Sequence, residues 1–231
     1  MSSVGYSRTL FPALVSAFVV VGAVLLAGFL IVATPAWSDA EAQAIAAVGR
    51  FGAPWLDAVA VGVDVAFGPL GAVALILLVV VRVAVRGRSV RRGLAVATWI
   101  AVPWAVAEAV KLVVRRPRPG SLFASGPVAT PESFSFPSGH TAFAAALCCA
   151  VILALAPGRT RRVAIVVGVV IVLVTAWSRV RLGVHYPSDV VASMLLAPVV
   201  SVAANRCTGA MTPGRGRVLA VDAERFLGHG Q

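Results

Sequence analysis

The sequence predicts an all-α, polytopic membrane protein: a bundle of six transmembrane helices with short interfacial helices on its extracytoplasmic side. Three observations predict it. Hydrophobic residues fill 59% of the 231 positions and charged residues only 13%, with a mean hydropathy of +0.93, too apolar for a soluble domain. The apolar residues gather into six stretches, most near the roughly 20 residues needed to cross about 30 Å of hydrocarbon. The arginines behind the formal charge of +11 fall in short runs between those stretches, as topology signals do, a pattern that disfavours nucleic acid as a partner and names the lipid bilayer instead.

The first stretch runs from about Leu10 to Ala33. Arg8 precedes it and small residues follow, as in a signal peptide, but its apolar run is long for a signal core and reads as an uncleaved anchor. Thr34 to Phe67 is broken by Pro, Gly and acids; Asp39 and Glu41 open a short helix, and Asp57 and Asp64 interrupt the apolar run after Pro54. This segment is expected to form interfacial helices, with a seventh span as the alternative. Further spans follow at about Gly68 to Val85, Gly93 to Val114, Thr141 to Ala156, Val163 to Trp177 and Tyr186 to Ala204. The two before the last are short and should extend at their ends. In lipid even valine-rich segments go helical, because a backbone group left unpaired in hydrocarbon costs several kcal/mol. Cys148, Cys149 and Cys207 have no metal-ligand spacing and read as small buried hydrophobes. Residues 1–207 form the membrane domain, and the Gly-rich residues 208–231 a flexible cytoplasmic tail.

Six spans put Arg86 to Arg92, Arg159 to Arg162 and the arginines of the tail on one side, which the positive-inside rule makes cytoplasmic, with both termini. Arg115 to Ser138 and the Arg179 to His185 turn then face outward. Arg115, Arg116 and Arg118 break the charge rule where scarce residue types converge: Lys111 is the only lysine, and His140 and His185 are two of three histidines. Singly, Arg115, Arg116 and Arg181 read as anchors snorkelling to headgroups, and Trp104, Trp177 and Tyr186 as an interfacial aromatic belt.

The chemistry follows from spacing. Asp189 lies four residues after His185 at the start of a helix, which puts the carboxylate on the same face, able to fix the imidazole tautomer and leave the other nitrogen nucleophilic. Alone, such a pair could equally staple an interface. Lys111, Arg118 and Arg179 end three different segments and supply the cations that phosphoryl transfer asks of a protein. Ser138-Gly139-His140 opens the fourth span, where free amides and the helix dipole attract an anion and His140 can present a proton; Ser138 could also be a helix cap and nothing more. Glu108, one turn before Lys111, either orients its ammonium or forms a plain ion pair.

Lys111, six residues, Arg118-Pro119; Pro137-Ser138-Gly139-His140; and Ser178-Arg179, five residues, His185, three residues, Asp189 resemble the three signature blocks of the type 2 phosphatidic acid phosphatase superfamily. The blocks match at every defining position and span Lys111 to Asp189. The resemblance implies a six-helix membrane fold and a site needing neither metal nor cofactor. By it, His185 is the nucleophile, Asp189 orients it, His140 protonates the leaving group, and Lys111, Arg118, Ser138, Gly139 and Arg179 hold phosphate. The family also includes soluble vanadium haloperoxidases, which this composition excludes.

The function so implied is hydrolysis of a terminal phosphate from a lipid phosphate or diphosphate at the outer face of the cell membrane, through a phosphohistidine. An isoprenoid diphosphate such as undecaprenyl diphosphate leads, followed by phosphatidic acid or phosphatidylglycerol phosphate, with a lipid-linked sugar phosphate or a non-water acceptor as further possibilities. A lipid-phosphate or anion translocator would also want cations at a membrane mouth. It has no need of a His/Asp pair aligned with a second histidine.

Overall fold

A computed structural model describes residues 3–50, 53–119 and 132–210, and every regular element in them is α-helical. The helices are α1 (Ser3–Ala33), α2 (Pro35–Arg50), α3 (Pro54–Phe67), α4 (Pro69–Arg86), α5 (Val90–Val114), α6 (Gly139–Ala154), α7 (Arg159–Arg181) and α8 (Pro187–Ala210).

Helices α1, α4, α5, α7 and α8 are long and apolar enough to cross a membrane. The remaining predicted span, α6, has 16 residues, a length of about 24 Å at 1.5 Å per residue. It reaches through the bundle because it sits at its centre, packed against α5, α7 and α8. Its alanines at 142, 144, 145, 146 and 150 are all buried, and small residues let the surrounding backbones approach closely. By contrast, α4 buries no residue, and Leu70, Leu77, Leu78 and Val81 turn outward, as lipid-facing side chains do.

Element ends follow local chemistry. Ser89 caps α5 by accepting from the Arg92 amide, and Arg115 closes it in the left-handed conformation at φ 55°. Pro103, inside α5, cannot donate to the Trp99 carbonyl one turn back; Ser201 Oγ of α8 does so instead at 2.9 Å, and the freed acceptor pins the two helices together. Gly183, at φ 67°, turns the chain from α7 toward α8.

The segment expected to be interfacial forms α2 and α3, set 120° apart and each shorter than a span, so no seventh straight span forms. Both cover the end of the bundle where α5 and α7 finish and α6 and α8 begin: α3 packs on α7 and α4, and α2 on α1, α7 and α8. α7 extends the predicted span by four residues at each end, whereas α6 shifts two residues upstream. α8 continues to Ala210, so the first residues assigned to the tail are helical; 211–231 lie outside the described residues.

Candidate active site

The helix ends bring the predicted residues into one connected cluster. His185 lies in the turn between α7 and α8, 2% exposed, and its Nδ1 is 3.4 Å from Asp189 Oδ2. Asp189 is fully buried and held on every side: the Tyr186 amide donates to Oδ2 at 2.8 Å and Arg116 Nη1 to Oδ1 at 2.7 Å. On the other face of the imidazole, Arg118 Nη1 lies 3.1 Å from Nε2 and donates to the Val184 carbonyl at 2.7 Å. Because a guanidinium only donates, Nε2 takes the acceptor role and the ring proton sits on Nδ1, toward Asp189. Burial, reinforced by the charges of Arg118 and Lys111, pushes the His185 pKa down to about 3 against the opposing pull of Asp189. The imidazole is therefore neutral, with its Nε2 lone pair facing cations.

Ser138 begins α6. Its Oγ accepts from the Thr141 amide at 3.4 Å and hydroxyl at 3.1 Å, and its own amide donates to the Asp189 carbonyl at 3.1 Å. Ser193 Oγ donates to the Ser138 carbonyl at 2.8 Å, locking α6 to α8. Ser138 is thus a cap and a strut for Asp189, while the Gly139 and His140 amides open the helix with no intrahelical acceptor. A Cβ at Gly139 would meet Glu108 Oε1 at 2.5 Å and Lys111 Nζ at 3.2 Å, so the glycine is what admits this ion pair to the helix start. Glu108 holds Lys111 Nζ with both oxygens, at 2.8 and 2.9 Å.

Asp64 of α3 completes the cluster. Its Oδ1 accepts from Arg179 Nη1 and lies 3.3 Å from His140 Nε2, within ion-pair range but out of line for a hydrogen bond, which leaves that nitrogen without a hydrogen-bond partner among the described residues. His140 first, then Arg179, hold the Asp64 carboxyl below the usual carboxylate range although burial opposes them. Arg179, 1% exposed, also contacts Ser178 Oγ at 3.2 Å and the Ala60 carbonyl at 3.5 Å. The eight predicted positions, Lys111, Arg118, Ser138, Gly139, His140, Arg179, His185 and Asp189, thus meet at one end of the bundle.

Three expectations from sequence are corrected. Arg116 does not snorkel: it is 1% exposed, lies 3.7 Å over the Tyr186 ring, and bonds Asp189, Ser188 (2.8 Å), Ser38 (3.0 Å) and Glu41 (2.7 Å). Arg181 is likewise buried, on Asp57 Oδ1 at 2.9 Å and the Val48 carbonyl at 2.8 Å. Tyr186 is 7% exposed, beneath Arg116 rather than in an aromatic belt. The physical reason is common to all: α2 and α3 supply carboxylates that neutralise cations inside protein, so these side chains need not reach water. Arg115 is exposed, and its side chain donates to the local Leu112 carbonyl at 2.9 Å.

Sequence reasoning missed Asp64, Glu41 and Arg116 as parts of this cluster. A signal was present. Four of the nine acids, Asp39, Glu41, Asp57 and Asp64, fall in the one segment expected on the same side as Arg115, Arg116, Arg118, Arg179 and Arg181.

The sequence profile of the PAP2 superfamily matches residues 92–212, just over half of the chain. The chain belongs to the PAP2 superfamily. Among curated relatives, decaprenylphosphoryl-5-phosphoribose phosphatase of Mycobacterium tuberculosis is 36% identical over 116 residues, 50% of this chain and 61% of the relative. The protein of that name from Mycolicibacterium smegmatis is 40% identical over 101 residues, 44% of this chain and 52% of the relative. The match therefore spans only 52% to 61% of these relatives' length. The PAP2 type phosphatidylglycerolphosphate phosphatase of Bacillus subtilis shares the fold, with a TM-score of 0.72 and 22% identity over 87% of this chain and 98% of that one.

Proposed function

We propose that the protein is a lipid phosphate phosphatase that removes the terminal phosphate of a lipid phosphate or diphosphate in two displacements at His185. The observation that carries the reading is the buried, neutral imidazole whose Nδ1 faces Asp189 while Nε2 faces Arg118. When a phosphate enters, Arg118 transfers its donors from Nε2 to phosphate oxygens, and the freed lone pair attacks phosphorus. The bond from phosphorus to the leaving-group oxygen breaks, and His140 protonates that oxygen. Water then attacks the phosphohistidine, giving a proton to His140; the phosphorus–nitrogen bond breaks, its electrons return to Nε2, and inorganic phosphate leaves. Lys111, Arg118, Arg179 and the Gly139 and His140 amides neutralise the equatorial oxygens.

Membrane helices around the site support a lipid-borne substrate. The mycobacterial relatives make a polyprenyl-linked phosphosugar the first substrate to assay, ahead of undecaprenyl diphosphate, phosphatidic acid and phosphatidylglycerol phosphate. Arg91, Arg92, Arg161 and Arg206 share the opposite end of the bundle, and the positive-inside rule supports an extracytoplasmic site.

The test is phosphate release by purified protein in micelles across that panel, with rapid quench of labelled substrate to trap an acid-labile phosphoenzyme. His185→Ala should lose both signals. Release that survives in His185→Ala, or absence of release from every substrate, counts against the assignment. For topology, a single cysteine at Ser121, which lies outside the described residues, should react with an impermeant thiol reagent in intact cells; labelling only after lysis reverses the orientation.

A further inference from the structure

At the end of the bundle opposite the histidines, α5, α6, α7 and α8 leave a cavity of about 600 Å³, within the size range of small-ligand sites. Arg91, Arg92, Arg161 and Arg206 line it from three different helices, with Trp99 and Asn205. The ion pairs among the described residues use carboxylates at the histidine end, and none of them involves Arg91, Arg92 or Arg161. Asn205 is 7% exposed, and its Nδ2 is a buried donor with no hydrogen-bond partner among the described residues. Trp99 Nε1 donates to Thr208 Oγ1 at 2.7 Å, so the indole is fixed as a wall.

Topology alone accounts for arginines at a membrane edge. It does not account for their gathering around one concavity with an unused amide donor in its wall, because like charges in a recess repel and a buried donor left unpaired is unfavourable. An anion with several acceptor oxygens relieves both: it takes forked donors from arginine and the amide hydrogens of Asn205. Cationic recesses between transmembrane helices suit lipid phosphate groups in this way.

We propose that this cavity is a second anion site, distinct from the histidine cluster, that holds a phosphate group, either on a membrane phospholipid or free. Along α5, Arg92 in the cavity wall and Lys111 in the cluster are about 29 Å apart, at 1.5 Å per residue. The site needs no terminal phosphomonoester, so a phosphodiester lipid fits it while offering the histidines no bond of the proposed kind.

The experiment uses the full chain in zwitterionic detergent and two probes: phosphatidylglycerol, read as lipid retained in native mass spectra, and inorganic phosphate, read as a thermal shift. Binding of the lipid alone assigns the headgroup as source; equal effects of both assign phosphate itself. In either case Arg92→Gln with Arg161→Gln should weaken binding roughly tenfold or more, reduced further by added salt, while Lys111→Ala at the far end leaves lipid retention within about twofold and removes from the phosphate shift only the share that the histidine cluster contributes. Asn205→Asp keeps the side-chain shape and sets a carboxylate among the arginines, so it should fold and fail to bind. The proposal is overturned if wild type binds neither probe, if Asn205→Asp binds like wild type, or if Lys111→Ala rather than the arginine pair abolishes binding.

Discussion

Asp64 Oδ1 lies 3.3 Å from His140 Nε2 while the same oxygen receives a hydrogen bond from Arg179. One carboxylate on α3 thereby faces both the proposed proton donor and one of the proposed phosphate ligands, and ties the interfacial helix to the ends of α6 and α7.

Asp64→Asn keeps the side-chain shape and removes the charge. Asp64 is a positioning residue here, so the variant should lower kcat about 10- to 100-fold with a smaller change in KM, and Asp64→Glu should recover part of the loss. Steady-state kinetics on both variants check this. A purely structural role would lower the melting temperature and leave the kcat of the folded fraction unchanged.

Arg116 joins two carboxylates, Asp189 and Glu41, of which Asp189 has no exposure. Arg116→Ala strands that charge in the interior and should destabilise the protein by about 3–5 kcal/mol, seen as a lowered denaturation midpoint in detergent. Lysine cannot reproduce a fork that serves Asp189 and Ser188 through one nitrogen and Glu41 and Ser38 through the other, so Arg116→Lys should restore less than half of the loss.

The spans and the eight cluster positions were legible in the sequence because hydrophobic length and motif spacing are local properties. The partners of Arg116, Arg179 and Arg181 were not. Each is set by how α2 and α3 fold back over the helix ends, and a lone arginine after an apolar run looks the same whether it snorkels or meets Glu41 across the bundle. Ser138 shows a second limit. Sequence left capping and phosphate binding both open, and the structure shows its hydroxyl engaged by Thr141 and its amide by the Asp189 carbonyl.

His185 has a folded pKa of about 3 against an ordinary 6.5, caused chiefly by burial. Between those values the unfolded chain binds a proton that the folded chain refuses. The stability linked to this ring is therefore complete above pH 6.5 and is lost progressively as the pH falls toward 3. Denaturation midpoints followed across that window should drop less steeply for His185→Gln than for wild type. Phosphoenzyme formation should also continue below pH 6, since the nucleophile is already deprotonated there; an acid limb of formation centred near 6.5 would contradict the desolvated imidazole.

Every group proposed to touch the phosphate is a cation, an imidazole or a backbone amide, and among the described residues no three His, Cys, Asp or Glu side chains group as metal ligands. Phosphate release should therefore persist in EDTA at no less than about half its rate, measured after dialysis against chelator. Loss of activity that added Mg²⁺ or Zn²⁺ restores would refute the metal-free scheme.

Gly139 meets the Glu108 and Lys111 pair so closely that a Cβ would fall 2.5 Å from Glu108 Oε1. That oxygen ends a flexible side chain with 38% exposure, so it can swing aside and the helix can still form. Gly139→Ala should therefore keep its melting temperature within a few degrees yet lose roughly tenfold or more in kcat/KM, because Lys111 is dragged from the cluster with its partner. Removing the obstruction should help: Glu108→Ala in the Gly139→Ala background should recover activity, giving a coupling energy between the two sites of about 1 kcal/mol or more in a double-mutant cycle. Additive losses would mean that the glycine serves close approach of phosphate to the α6 amides, with Glu108 a bystander.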